Sequence, residues 1–323
     1  MIDQYGRTID YMRVSITNRC NLRCVYCMPP GSPTLPAGEP LSYPEILSVC
    51  EAAAACGLRF IKITGGEPLL RAGCSAFIGE LKKTAGIEKV TLTTNGVLLT
   101  KHLDALLEAG IDGVNISLDS LNRERLKGIT SFDVLEPVME AINESLKQHI
   151  NLKINAVLAG ADQEMVGWKE LVELARDAPL SVRFIEMMPI GYGKQFMGSG
   201  NDLLLDYLRA EYPGIKGDTL RHGQGPAVYY TIPGFKGNVG FISAMSSRFC
   251  SVCNRIRLTA EGFLKPCLCY KEGIDLKPTL QTGGDLRRGI EQAIAMKPYS
   301  HCFDDLQTTG ERLEQEPMIA IGG

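Results

Sequence analysis

The chain lacks any apolar run approaching the roughly 20 residues that cross a bilayer. Its opening residues, MIDQYGRTIDYMR, contain no apolar signal core either, so it reads as a cytosolic protein. It also lacks a strong charge of one sign: 34 Lys and Arg against 37 Asp and Glu leave a formal net charge of −3. Such a balance exerts no general pull on nucleic acid or on an anionic membrane. An anionic small molecule would have to be met by a local cluster of cations. With 323 residues, 45% apolar and 22% charged, the composition is that of a globular chain of one large domain or two.

Cysteine, by contrast, is abundant, with 11 in all, and six of them fall into two tight sets. Cys20, Cys24 and Cys27 lie in SITNRCNLRCVYCMPP (15–30), spaced C-x₃-C-x₂-C. One short loop can wrap three such thiolates around one metal centre. A four-iron cluster bound wholly by protein takes four cysteines, yet none follows before Cys50. Three ligands leave one iron open, and open sites mark chemistry, as they do for catalytic against structural zinc. A zinc knuckle or three reduced thiols are the alternatives. The second set is Cys250, Cys253 and Cys267. The turn-like AEG at 260–262 predicts a hairpin from Arg255 to Leu264, centred on 260, that sets Cys253 beside Cys267. Zinc is a closer rival here, and Cys269 is a candidate fourth ligand. Cys50, Cys56, Cys74 and Cys302 read as small buried hydrophobes.

Between Met12 and about Met188, short β-like runs alternate with helical patterns. The runs are 12–17, 59–64, 89–94, 113–118, 152–158 and 181–186, rich in Val, Ile, Thr and Phe as strands are. Ser42 and Glu45 form a capping box ahead of an apolar stripe. Further stripes follow Thr100, Leu135 and Trp168. Six strand–helix units imply parallel strands with right-handed crossovers, and six rather than eight imply an open, partial (β/α)6 TIM-like barrel. The motifs TNRC, TGGEP, TTNG, SLDS and EMMP all follow strands, hence share the face where α/β active sites sit. In TGGEP the two glycines would let backbone approach a ligand closely, and Glu67 could take the ammonium of an amino acid. Residues 189–220 read as a looser connector. Residues 189–323 as a whole read as a smaller region appended to a 1–188 barrel. Cys253, Arg255 and Arg257 share one face of a strand, and two guanidiniums beside a metal site make a phosphate clamp.

The C-x₃-C-x₂-C triad with Tyr26 before its last cysteine, followed one strand later by GGEP, resembles the radical S-adenosylmethionine superfamily. Adding the second triad and the terminal Gly322-Gly323, the chain is similar over nearly its whole length to the GTP 3′,8-cyclase family of molybdenum cofactor biosynthesis. That resemblance implies two [4Fe–4S] clusters, on Cys20, Cys24 and Cys27 and on Cys250, Cys253 and Cys267. S-adenosylmethionine would sit at the open iron of the first and GTP at that of the second. Carried over by motif, the cofactor contacts are Tyr26, Gly66, Ser117 and Met188. The GTP contacts are Arg13, Lys62, Thr93, Lys153 and the stretch Asn254, Arg255, Ile256 and Arg257, with Arg71 a further candidate. The implied reaction takes the hydrogen from C3′ of GTP with a 5′-deoxyadenosyl radical and closes a C3′–C8 bond. Implied partners are a low-potential electron donor of flavodoxin or ferredoxin type and cyclic pyranopterin monophosphate synthase, which takes the product; a homodimer is left open. Asn18 stands where the family commonly has Asp, Lys62 where Arg is often seen, Cys269 where no cysteine is expected, and the tail reads MIAIGG with one Ala where Gly is common. Another radical enzyme, such as a peptide modifier, and a non-enzymatic metal-binding scaffold are the rival readings.

Overall fold

The computed structural model describes residues 1–32, 38–158, 167–220, 222–303 and 312–322. Six strands appear where the β-like runs place them: β1 (Tyr11–Ser15), β2 (Phe60–Thr64), β3 (Lys89–Thr94), β4 (Gly113–Ser117), β5 (Leu152–Leu158) and β6 (Ser181–Glu186). All five neighbouring pairs run parallel. The intervening helices are α1 (Tyr43–Ala55), α2 (Cys74–Lys83), α3 (Leu99–Glu108), α4 (Arg123–Thr130), α5 (Leu135–Lys147) and α6 (Trp168–Asp177). The capping box forms: the Ser42 hydroxyl accepts from the Glu45 N–H, and the Glu45 carboxylate accepts from the Ser42 N–H. Apolar stripes bury against the sheet. In α5, Val138, Ala141 and Ile142 are essentially inaccessible, and each large aliphatic so buried contributes about 1.5–3 kcal/mol.

The remainder of the chain does not stand apart from this sheet. The stretch expected as a loose connector contains α7 (Asn201–Glu211), which puts Leu204 and Leu208 into the main core. Strands β7 (Lys216–Asp218), β8 (Val228–Thr231) and β9 (Asn238–Ile242) follow, and β9 pairs parallel with β6. Then β10 (Arg255–Leu258) pairs parallel with β1 at the opposite edge, and β11 (Phe263–Lys265) and β12 (Ile274–Asp275) add to it antiparallel. Helices α8 (Lys277–Thr282) and α9 (Leu286–Ala295) complete the order. The result is one sheet, β12-β11-β10-β1-β2-β3-β4-β5-β6-β9-β8-β7. Eight of its strands are parallel, yet β9 and β10 do not pair, so the barrel is partial and open. Among the described residues no helix is long and apolar enough to cross a membrane.

Candidate active site

Alternation along parallel strands sends every second side chain to the barrel interior, and register decides which of them lie abreast. Arg257 of β10 pairs with Arg13 of β1, Arg13 with Lys62 of β2, and Lys62 with Thr91 of β3. Three cations therefore stand side by side on adjacent strands, an arrangement that repels. Lys153 of β5 and Arg183 of β6 add to it. Arg183 donates to Asn155 Oδ1 from Nε at 2.9 Å and from Nη2 at 2.6 Å, and Lys153 donates to the His222 carbonyl. Lys62, Lys153 and Arg183 are only 7%, 8% and 7% exposed. Burial, then Arg183, Arg13 and Lys153, holds the Lys62 ammonium well below the usual lysine range. Burial and Arg183 bring Lys153 down to about 8. Among the described residues, Lys62, Lys153, Arg183, Arg255 and Arg257 form no ion pair with a carboxylate. Of these, Lys62, Lys153 and Arg183 are buried like charges without a carboxylate partner, and such charges call for an anion.

Above this row lies a cavity of about 350 Å³, in the size range of small-molecule sites. Cys20, Cys24 and Cys27 line it together with Cys250, Cys253 and Cys267, so the two triads meet in one space. Tyr26, Gly66, Ser117 and Met188 also line it, as do Arg13, Thr93, Arg255 and Arg257. Lys62 and Lys153 lie outside that lining, deeper in the barrel. Ile256 turns its side chain into the main apolar core, so only its backbone is available to a ligand. Asn254 spends its amide on Asp10 Oδ1 at 2.7 Å and the Gln224 carbonyl at 3.4 Å. Arg71 does not face the cavity. It donates to the carbonyls of Ile16 and Leu41 at 2.6 and 2.7 Å and stacks on Tyr43, bracing the end of β1.

The residues fit iron–sulfur clusters in their donor chemistry. Cys20 is raised by burial, Cys24 is raised well above the usual thiol value by burial and Asp119, and Cys27 is pushed up to about 12 by burial and Cys20. Such thiols give up their protons to a metal rather than to water. At the second triad burial alone would raise Cys253, but Arg255 and Lys297 outweigh it and hold the thiol at about 6. Among the described residues no group of three Cys, His, Asp or Glu side chains is drawn together around a single point.

Backbone closeness explains the glycines. A Cβ on Gly66 would fall 2.3 Å from the Arg19 carbonyl oxygen, and one on Gly65 2.6 Å from that of Thr17. The turn thus packs directly on the first cysteine loop. Glu67 does not offer its carboxylate to the cavity. It is 0% exposed, with Oε1 accepting from Leu69 N–H at 3.0 Å and Thr94 Oγ1 at 2.8 Å and Oε2 from Asn95 N–H at 2.7 Å. It ties TGGEP to TTNG. Burial raises it to about 7. Tyr26 donates to Asp119 Oδ2 at 2.6 Å, and Asp119 Oδ1 accepts from the Val157 N–H at 2.8 Å.

Several residues around the second triad escape sequence reading. Arg7, paired with Asp3, donates to the carbonyls of Cys250, Pro298 and Tyr299. Lys297 Nζ clamps the hairpin through the carbonyls of Arg255 at 2.7 Å and Pro266 at 2.8 Å. The hairpin register pairs Arg257 with Lys265 and Leu258 with Leu264, centring the turn on 261 rather than 260. Near the C-terminus, Gly322 offers its carbonyl to Arg257 Nη1 at 3.3 Å, and Met318 and Ile319 line the cavity. Gly323 lies outside the described residues.

Two family models match the chain: Radical SAM superfamily over residues 14–166 and Molybdenum Cofactor Synthesis C over residues 180–303. Among curated proteins, a GTP 3′,8-cyclase of Clostridium perfringens (strain 13) is 44% identical over 308 residues, covering 94% of this chain and 95% of that one. A GTP 3′,8-cyclase of Heliobacterium modesticaldum is 42% identical, with both chains fully covered. Among solved structures, Streptococcus suis SuiB bound to S-adenosylmethionine superposes with a TM-score of 0.62 at 15% identity, covering 95% of this chain and 76% of that one. Native anSMEcpe with bound AdoMet gives 0.61 at 15% identity, covering 90% and 81%. At such identities the structural likeness speaks for the fold alone.

Proposed function

The chain belongs to the GTP 3′,8-cyclase family, and from that footing we propose that it converts GTP to (8S)-3′,8-cyclo-7,8-dihydroguanosine 5′-triphosphate in molybdenum cofactor biosynthesis. The observation that carries the reading is the cation set: Arg13 and Arg257 line the cavity that both cysteine triads line, and Lys62, Lys153 and Arg183 are buried in the barrel beside them. A triphosphate supplies negative charge for Lys62, Lys153 and Arg183, which pair with no carboxylate among the described residues. When bound, S-adenosylmethionine and the two [4Fe–4S] clusters supply the radical chemistry that opens C3′–H and joins C3′ to C8.

The task of the chain is then placement and exclusion of water. Cys20, Cys24 and Cys27 would hold the first cluster and Cys250, Cys253 and Cys267 the second. Gly65 and Gly66 present bare backbone to S-adenosylmethionine, with Tyr26, Ser117 and Met188 around it. Tyr26 is oriented for that by Asp119. Arg255 and Arg257 bring guanidiniums to the phosphates or the base, whereas Lys62, Lys153 and Arg183 anchor the chain of phosphates from below. The division at 188/189 does not separate the two substrates in this reading: the first part carries the radical source together with the phosphate anchors Lys62, Lys153 and Arg183, and the second carries the second cluster with Arg255 and Arg257. A flavodoxin or ferredoxin would deliver the electron, cyclic pyranopterin monophosphate synthase would take the product, and both belong to the cytoplasm.

The test is 5′-deoxyadenosine formation by anaerobic protein with reductant and S-adenosylmethionine. GTP, not peptide, should stimulate it, and Cys20→Ser should abolish it. Turnover retained by Cys20→Ser, or stimulation by peptide alone, would sink the reading.

A further inference from the structure

Two cysteines beyond the triads face one another. Cys269 Sγ lies 3.8 Å from Cys302 Sγ, in a small apolar cluster with Ile190, Phe303, Leu313 and Ile321 that is separate from the main core. Their exposures are unequal: Cys269 is 1% exposed and Cys302 is half-buried. Each sits next to the second triad. Cys269 follows Cys267 by two residues, and the neighbour of Cys302, His301, donates its N–H to Cys250 Sγ at 3.5 Å. The His301 ring is itself fixed on the Ala244 carbonyl at 2.7 Å. The sulfurs need to close to only about 2.05 Å to bond.

We propose that Cys269 and Cys302 form a reversible disulfide that tethers the two segments flanking the second triad. The oxidant is a small-molecule disulfide. The accessible Cys302 thiolate attacks one of its sulfurs, forming a mixed disulfide and releasing one small thiol. Cys269 then attacks the Cys302 sulfur, the bond to the small molecule breaks, and the second small thiol leaves. Two protein thiols are oxidised, one small disulfide is reduced, and the two protons go to the departing thiolates. The order follows from exposure, since only Cys302 is open to the first attack. The tether joins the strand-end segment of Cys267 to the segment whose backbone contacts Cys250.

The experiment treats iron-loaded protein under nitrogen with glutathione disulfide, alkylates the free thiols and maps the peptides by mass spectrometry, with iron counted in parallel. We expect a 269–302 cross-link two hydrogens lighter than the reduced pair, unchanged iron, and full reversal by dithiothreitol. Cys269→Ser should trap a glutathione adduct on Cys302, and Cys302→Ser should show neither product while keeping GTP-dependent turnover. Oxidised protein should lose iron to a chelator more slowly than reduced protein or Cys302→Ser. Alkylation of both cysteines after treatment, a cross-link of Cys302 to Cys250, Cys253 or Cys267, iron released in step with oxidation, or equal rates of iron loss would overturn the proposal.

Discussion

Lys153 offers a quantitative test of the phosphate row. Burial and Arg183 depress its ammonium to about 8, so in the free protein it loses its proton as pH rises through that value. A triphosphate beside it favours the charged form and returns it toward the ordinary value of about 10.4. Binding is therefore linked to protonation, and the sign is fixed: affinity is full below the free value and falls as pH rises through it. Between about pH 7 and pH 9 the free protein goes from nearly all to roughly a tenth protonated at this site, whereas the complex stays charged. GTP should therefore bind about tenfold more weakly at the higher pH through this group, about 1.4 kcal/mol. Guanine itself titrates near the upper end, so the measured quantity is the difference between wild type and Lys153→Met. At about pH 7 the variant should bind about 10- to 100-fold more weakly, the worth of one hydrogen bond to a charged group. By pH 9 that gap should shrink about tenfold. Equilibrium dialysis of labelled GTP under nitrogen reads both numbers. A gap that stays constant across the range would refute the assignment of Lys153 to the phosphates.

Four further outcomes are expected. Gly66→Ala drives a Cβ into the Arg19 carbonyl, so S-adenosylmethionine binding should be lost in dialysis while GTP affinity stays within a few-fold. Arg183→Met removes a buried cation that sequence motifs do not single out, and should weaken GTP at least about tenfold without affecting S-adenosylmethionine binding. Glu67→Gln turns an acceptor into a donor facing the Leu69 or Asn95 N–H, and should cost about 1–3 kcal/mol in urea unfolding. Lys265 and Glu314 form an ion pair that is almost wholly buried. Lys265→Met should cost about 3–5 kcal/mol, and the double variant Lys265→Met with Glu314→Leu should recover most of it.

Much of the barrel could be read from local chemistry. The strands carry short runs of Val, Ile, Thr and Phe that burial in the sheet reinforces, and Ser42 with Glu45 fixes the start of α1 without help from elsewhere. The triads were legible because spacing along a chain limits where thiols can meet. What escaped depends on partners distant in sequence. Nothing in RIRL says that β10 joins β1 across some 240 residues, and nothing in NVGFI says that β9 docks on β6. Arg183 looked like a strand residue, and only register shows it beside Asn155. Glu67 was open to a ligand-binding reading until its three hydrogen bonds with β3 and its own turn accounted for both oxygens. Arg71 likewise reads as a free cation near GGEP, yet the carbonyls it holds belong to loops whose positions depend on the fold.

The pairing of β1 with β10, Tyr11 opposite Arg255, has a consequence for how the molecule is made. During synthesis β1 can pair with β2 soon after it emerges, but its other edge stays bare until residues near 258 appear. An unpaired parallel edge is a template for other chains, and such late, non-local closure slows folding. The cation row has the same schedule, because Arg257 reaches Arg13 only when that edge closes. The nascent protein therefore presents a half-built, sticky barrel for most of its translation. If Cys20, Cys24 and Cys27 hold the first cluster as proposed, its loading can precede the step that creates the nucleotide site.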